Sequence, residues 1–129
     1  MSGDAVLKKL YFHKATNALI INAPEEYTAL TGDIPHDAKP VAKKKGTYDF
    51  VQVFATKQSE LEKLLKANAA YGKHDCIFWA CYPKGTGSIK SDIKRETVWT
   101  AFALVGLDTV SSVSIDDTWT ALRARPINK

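Results

Sequence analysis

The residues best equipped to hold a ligand fall in one run, Lys84-Gly85-Thr86-Gly87-Ser88, directly after the uncharged, aromatic-rich stretch Cys76 to Tyr82. An ammonium, two hydroxyls and the N–H groups of a glycine-rich turn together make a concave nest of donors, which suits an anion. The run is not a Walker loop, whose glycines stand farther apart and which closes on Lys-Ser/Thr. Asp116 and Asp117, followed by Trp119, supply either a carboxylate partner for Lys84 or an acid/base pair for a bound anion, and Asn22 offers a further amide. Lys94 and Arg95 open a predicted helix, where each cation opposes the helix dipole by roughly a few tenths of a kcal/mol. An anionic ligand or nearby acids would offset that cost.

The elements decide which of these residues can meet. Cys76 to Tyr82 reads as a strand covered on both faces, the centre of an α/β sheet. Ala18 to Asn22 and Tyr48 to Ala55 are the other strong strands, and a brief edge strand is expected around Val41 in the irregular segment from Asp33 to Thr47. Helices are expected from Ala5 to Leu10 and from Pro24 through Leu30, the latter starting on a proline with Glu25 and Glu26 in its first turn and stopping at Gly32. Ser59-Glu60-Leu61-Glu62 matches a capping box, with Leu61, Leu64, Leu65 and Ala69 as the stripe behind it and Gly72 as a left-handed stop. A further helix from Asp92 to Val105 turns Val98, Ala101, Phe102 and Val105 to one face and ends at Gly106. Val110 to Ile115 and Trp119 to Arg125 then form an antiparallel hairpin around Asp116-Asp117-Thr118. The expected core is Ile77, Trp79, Val51, Val53, Leu64 and Phe102.

In an open α/β sheet, ligands bind beyond the carboxyl ends of the parallel strands. Asn22, Glu25, Thr56, the run from Lys84 to Ser88, Asp116, Asp117 and Trp119 all fall at that edge. His13 and His74 precede strands and His36 falls in the return connection, which puts all three at the opposite edge, so a histidine triad, a histidine base or a metal site is not expected. Cys76 and Cys81 lie five apart on one strand and face opposite ways; they neither bridge nor share a metal, and read as core filler.

The chain of 129 residues is expected to be one α/β domain spanning residues 1–129. Lys and Arg number 18 against 14 acids, giving +4, and much of the excess sits in Lys43-Lys44-Lys45. A solvated basic loop accounts for it, so nucleic acid is not an expected partner. No apolar run approaches the roughly 18 residues of a spanning helix and the first residues lack a signal-peptide core, which predicts a cytoplasmic protein without a membrane segment.

The order strand, helix, glycine, central strand, helix, terminal hairpin resembles the second half of a class I methyltransferase fold, where the last strand inserts antiparallel beside the central one. Asn22-Ala23-Pro24, the strand end from Trp79 to Lys84, and Asp117-Thr118-Trp119 with Ala121-Leu122-Arg123 also resemble a family of small uncharacterised bacterial proteins, a domain of unknown function, from about Leu7 to Arg125. That family carries no activity with it. What the resemblance implies is a three-layer Rossmann-like α/β fold, a reduced methyltransferase-like mixed sheet ending in an antiparallel hairpin. Cofactor-binding methyltransferases carry a glycine-rich turn after the first strand and an acid after the second. Asn22-Ala23-Pro24 and a lysine run stand in those places, so S-adenosylmethionine is not expected in the standard mode and no cofactor is assigned. Three functions stay open: a binding or regulatory module for an anionic small molecule or a partner's acidic segment, an enzyme acting on a small anionic substrate through Asp116, Asp117 or Glu25, and a structural or homo-oligomer-forming domain.

Overall fold

The computed structural model describes residues 3–32, 34, 36–84, 89–116 and 118–127. Its strands are β1 (Ala18–Ile21), β2 (Tyr48–Phe54), β3 (Gly72–Pro83), β4 (Leu107–Ser114) and β5 (Trp119–Pro126), joined in one sheet in the order β1-β2-β3-β5-β4. The first three run parallel and β5 lies antiparallel to both of its neighbours, so the closing hairpin inserts its second strand beside central β3. Helices α1 (Gly3–Lys9) and α2 (Glu25–Thr31) cover one face, and α3 (Gln58–Asn68) and α4 (Arg95–Ala103) cover the other.

Alternation along each strand divides the apolar residues between these layers. Leu19, Val51, Phe78 and Ala124 stand in register across four strands and pack, with Leu61, Leu65, Val98, Ala101 and Phe102, on the α3–α4 side. Ile20, Phe50, Phe54, Trp79 and Cys81 face α1 and α2 instead, where they meet Val6, Leu10 and Tyr27. One amide is buried in this second layer, and it is satisfied: Gln52 accepts from the Tyr27 hydroxyl at 3.1 Å and donates to the Cys81 thiol at 3.3 Å. Burial raises the Tyr27 hydroxyl pKa and pushes the Cys81 thiol up to about 12. The two cysteines face opposite layers, as their spacing requires.

Several local expectations give way to longer-range contacts. No strand forms at Val41. Among the described residues the segment joins the sheet's ladder by a parallel bridge from Asp37 to Leu19, in which the Ile20 N–H donates to the Asp37 carbonyl and the Asp37 N–H to the Ala18 carbonyl, each at 2.9 Å. Pro24 sits one residue before α2 rather than within it. Ser59 does not cap α3, which begins at Gln58; the Gln58 N–H is taken at 2.6 Å by Asp92, from the loop before α4, so a distant carboxylate replaces the local box. Gly72 is no left-handed stop, because its φ is extended and it opens β3. Its missing side chain is needed for space: a Cβ there would lie 2.7 Å from the Cys76 sulfur and 3.3 Å from a Val51 methyl. Helix α4 spans less than the expected Asp92 to Val105, with the Thr97 hydroxyl accepting the Lys94 N–H and donating to the Lys94 carbonyl to close its first turn. Ile77 and Leu64 are half-buried, whereas Trp79, Val51, Val53 and Phe102 are fully buried as expected.

Phe102 carries the α4 contact, packed edge-on against Phe78 with ring centroids 6.1 Å apart. Urea denaturation of Phe102→Ala is expected to show a loss of about 3–5 kcal/mol, the range for a fully buried aromatic cut to a methyl. A loss below about 1 kcal/mol, the size of an ordinary surface change, would contradict this packing.

Candidate functional site

The carboxyl ends of β1, β2 and β3 and the turn between β4 and β5 meet at one edge of the sheet, and the candidate residues divide there into two groups. The first closes the gap between β1 and its neighbours. Asn22 takes a left-handed backbone (φ 62), a conformation that asparagine tolerates better than most residues, and its amide donates to the Phe54 carbonyl at 2.9 Å. Trp119, set opposite Pro83 in the β3–β5 register, is buried rather than open to a ligand. Its ring meets Phe54 edge-on at 5.3 Å, Tyr27 lies against Phe54 at 4.8 Å, and its indole N–H donates to Glu26 at 3.1 Å. The Thr56 N–H is likewise bound by Glu60, and Glu25 is exposed in the first turn of α2. Glu26 and Phe54 were not read as site residues from the sequence, since their roles depend on Trp119, which stands 93 residues beyond Glu26.

The second group surrounds Lys84. Its N–H donates to the Thr118 carbonyl at 2.8 Å, which ties the end of β3 to the hairpin turn. Its ammonium does not pair with Asp116. One carboxylate oxygen of Asp116 accepts the N–H groups of Thr118 and Trp119 at 2.8 and 2.7 Å, holding the turn, and the Lys84 ammonium donates to the Ser114 hydroxyl at 2.7 Å. Two residues earlier on the same face of β4, the Ser112 hydroxyl accepts from the Arg95 guanidinium at 3.2 Å. Arg95 is the first residue of α4 and stands close enough to Tyr82 to pull its phenol pKa down, against the burial that raises it overall and the nearby Glu96. Two cations therefore lie along alternate residues of one strand at a helix N-terminus. Gly85, Thr86, Gly87, Ser88 and Asp117 lie outside the described residues.

The opposite edge holds the histidine region. His13 lies in a single 3₁₀ turn before β1, His36 accompanies the bridge to β1, and His74 lies within β3 rather than ahead of it; the side chains of His13 and His74 are outside the described set. A shallow cavity of about 180 Å³ beside β1 is lined by Thr16, Asn17, Ala18, His36, Asp37 and Lys44. Beside it, the Tyr48 hydroxyl at 2.5 Å and the Lys44 ammonium at 3.0 Å both donate to one oxygen of Asp37. The Tyr48 bond first, and Lys44 second, hold the Asp37 carboxyl below its ordinary range. This cluster fastens the bridging segment to the sheet; the sequence marked Lys44 only as part of the lysine run and Tyr48 only as the start of a strand. Among the described residues, no group of three or more histidine, cysteine or acidic side chains is placed to hold a metal, and no helix is long and apolar enough to cross a membrane.

No protein-family model matches the chain, and no curated protein matches it. Among solved structures it is similar to a SAM-dependent methyltransferase from Aquifex aeolicus, at 12% identity and TM-score 0.62 over 97% of this chain and 89% of that one. It is also similar to magnesium protoporphyrin IX methyltransferase from Synechocystis, solved with bound SAH, at 10% identity and TM-score 0.59 over 95% and 80% of the two chains. The 4+2 cyclase SpnF matches at 9% identity and TM-score 0.57 over 98% and 80%. The chain has a Rossmann-like, class I methyltransferase-like α/β fold. Two of these relatives are methyltransferases and one is a cyclase, so activity must be argued from side chains rather than from the fold.

The Asp37 cluster gives a pH signature. A carboxyl held low in the folded protein stabilises it above the unfolded value of about 4 and loses that contribution as pH falls through the folded value. The melting temperatures of the wild type and Asp37→Asn are expected to differ at pH 7 and to converge as pH drops from about 5 to 3. Parallel curves over that range would contradict the assignment.

Proposed function

We propose that the chain is a small binding module that takes an anionic small molecule at the Lys84 edge. The observation that supports this is the pairing of both cations with hydroxyls. Lys84 is bonded to Ser114 and Arg95 to Ser112, and among the described residues neither is in an ion pair with a carboxylate. A hydroxyl here takes one donor from each cation and supplies no charge, so an anion with several oxygens can take remaining donors and gain charge-assisted bonds, which are roughly twice as strong as neutral ones. The nearest described acid of the turn, Asp116, directs one carboxylate oxygen to two backbone N–H groups rather than to Lys84. The run from Gly85 to Ser88 follows Lys84 directly in the chain and is the natural source of further N–H donors.

S-adenosylmethionine, suggested by the methyltransferase neighbours, fits less well. The turn after β1 is closed by the Asn22 amide, Pro24 has no N–H to offer, and Glu26 and Trp119 cover the adjoining crevice. Isothermal titration with S-adenosylmethionine is expected to give no saturable heat, and micromolar binding would reverse this reading.

A thermal-shift series with phosphate, pyrophosphate, citrate and nucleotides at low ionic strength tests the proposal. At least one polyvalent anion is expected to raise the melting temperature saturably, the rise being lost in Lys84→Ala and in Arg95→Ala. The half-exposed Lys84–Ser114 contact resembles a surface polar pair worth about 0–1 kcal/mol, so Lys84→Ala itself should scarcely alter the unliganded melting temperature. Silence across the panel would instead favour a purely structural edge.

A further inference from the structure

The chain has three tryptophans, and one of them is placed unlike the others. Trp79 and Trp119 are buried, and each indole N–H has an acceptor, the Leu10 carbonyl at 2.9 Å and Glu26 at 3.1 Å. Trp99 is 55% exposed, the most exposed large hydrophobic side chain described, and among the described residues no ring contact or hydrogen bond holds its indole. An indole left largely in water forgoes the burial that ordinarily draws tryptophan inside.

Its position along α4 ties it to the two cations of the Lys84 edge. Helix α4 begins at Arg95, whose guanidinium reaches Ser112, and its far end leads through Gly106 into β4, so helix and strand run in opposite directions. Val98, Ala101 and Phe102 take the core face of α4, which leaves Arg95 and Trp99, four residues apart, together on the flank that meets β4. Trp99 lies one turn, about 6 Å, farther from the carboxyl edge. Ser114, which holds Lys84, is two residues beyond Ser112 on the same face of β4, about 7 Å in the other direction. Ammonium, guanidinium and indole therefore follow one another in similar steps down one flank, over about 13 Å. The exposed acid next to Arg95, Glu96, stands about 100° farther round the helix and off this line.

We propose that this flank takes a nucleoside polyphosphate, with its phosphates on Lys84 and Arg95 and its base laid flat on Trp99. The inference rests on the anion site proposed above and names the class of anion. Two cations about 7 Å apart can bracket a diphosphate, whose oxygens accept charge-assisted bonds from both. Inorganic phosphate, pyrophosphate or citrate would use the cations alone and leave the indole bare. A base supplies the flat π-face that stacks on tryptophan, and it does so without needing a hydrogen-bond partner there. An extended nucleoside diphosphate carries diphosphate, sugar and base in the order in which the flank presents two cations, a gap and an indole.

Isothermal titration at low ionic strength with ADP, GDP and inorganic pyrophosphate tests this. ADP and GDP are expected to bind at least about fivefold more tightly than pyrophosphate, the least that one base–aromatic stack contributes. Both nucleotides are also expected to quench the tryptophan fluorescence, since Trp79 and Trp119 are shielded from them. Trp99→Ala is expected to bring ADP down to the affinity of pyrophosphate while leaving pyrophosphate binding as it was, and Trp99→Phe to restore part of the preference by returning a π-face. Lys84→Ala and Arg95→Ala are expected to weaken all three. Pyrophosphate binding as tight as that of ADP, or a preference for ADP that survives Trp99→Ala, would overturn the nucleotide assignment and leave the anion site standing. Silence of all three would overturn the nucleotide assignment too, and the anion site falls with it when phosphate and citrate are also silent.

Discussion

The stretch from Phe78 to Cys81 has no free side. Its two faces are covered by helices, one edge pairs with β2 in parallel and the other with β5 in antiparallel register. A buried N–H or C=O left without a partner costs about 1–3 kcal/mol, so a strand this apolar and this enclosed must find a ladder on both edges. Only β2 is delivered to one edge by its preceding connection. The chain must therefore return at its end, through α4 and β4, to place β5 on the other. Trp119 and Leu122 are buried because they belong to that closing strand, and Lys84 meets the hairpin turn because β3 ends where β5 begins.

The same closure shapes what the carboxyl edge can bind. On the β1 side, Asn22, Glu26, Phe54 and Trp119 satisfy one another and leave a plug of aromatic rings and paired polar groups. On the β4 side, two cations are held by hydroxyls that cannot neutralise them. The two flanks of this edge of a methyltransferase-like fold therefore differ: paired polar groups and aromatic rings close the β1 side, and two cations held by hydroxyls line the side between β3 and α4.

The principal strands and the meeting of Lys84 with the hairpin turn were legible in the sequence from apolar periodicity and strand direction, whereas the insertion of the last strand beside the central one was expected from the resemblance to a methyltransferase fold. What the sequence hid were partners chosen across long separations. Ser59 and Glu62 spell a local cap, yet Asp92, 34 residues away, takes the Gln58 N–H. Asp116 looked like the counterion of Lys84, but the two backbone donors within its own turn are closer and already fixed in place. Ser112 and Ser114 carry no pattern that marks them as cation partners, since serine on a half-exposed edge strand is ordinary. Val41 failed as a strand because the Tyr48 hydroxyl and Lys44 secure Asp37 instead, and that residue then makes the bridge to β1.

The buried chain from Tyr27 through Gln52 to Cys81 makes the protein its own reporter of opening. Burial pushes the Cys81 thiol up to about 12, so it stays a protonated, unreactive thiol at neutral pH, and no solvent reaches it. An alkylating reagent can therefore modify this sulfur only when the α1–α2 layer separates from the sheet, whereas half-buried Cys76 lies in the other layer. Modification of Cys81 consequently times the parting of the α1–α2 side, with half-buried Cys76, five residues away on the same strand and facing the other layer, as an internal reference. A labelling trace resolved by peptide would read how often that layer leaves the sheet.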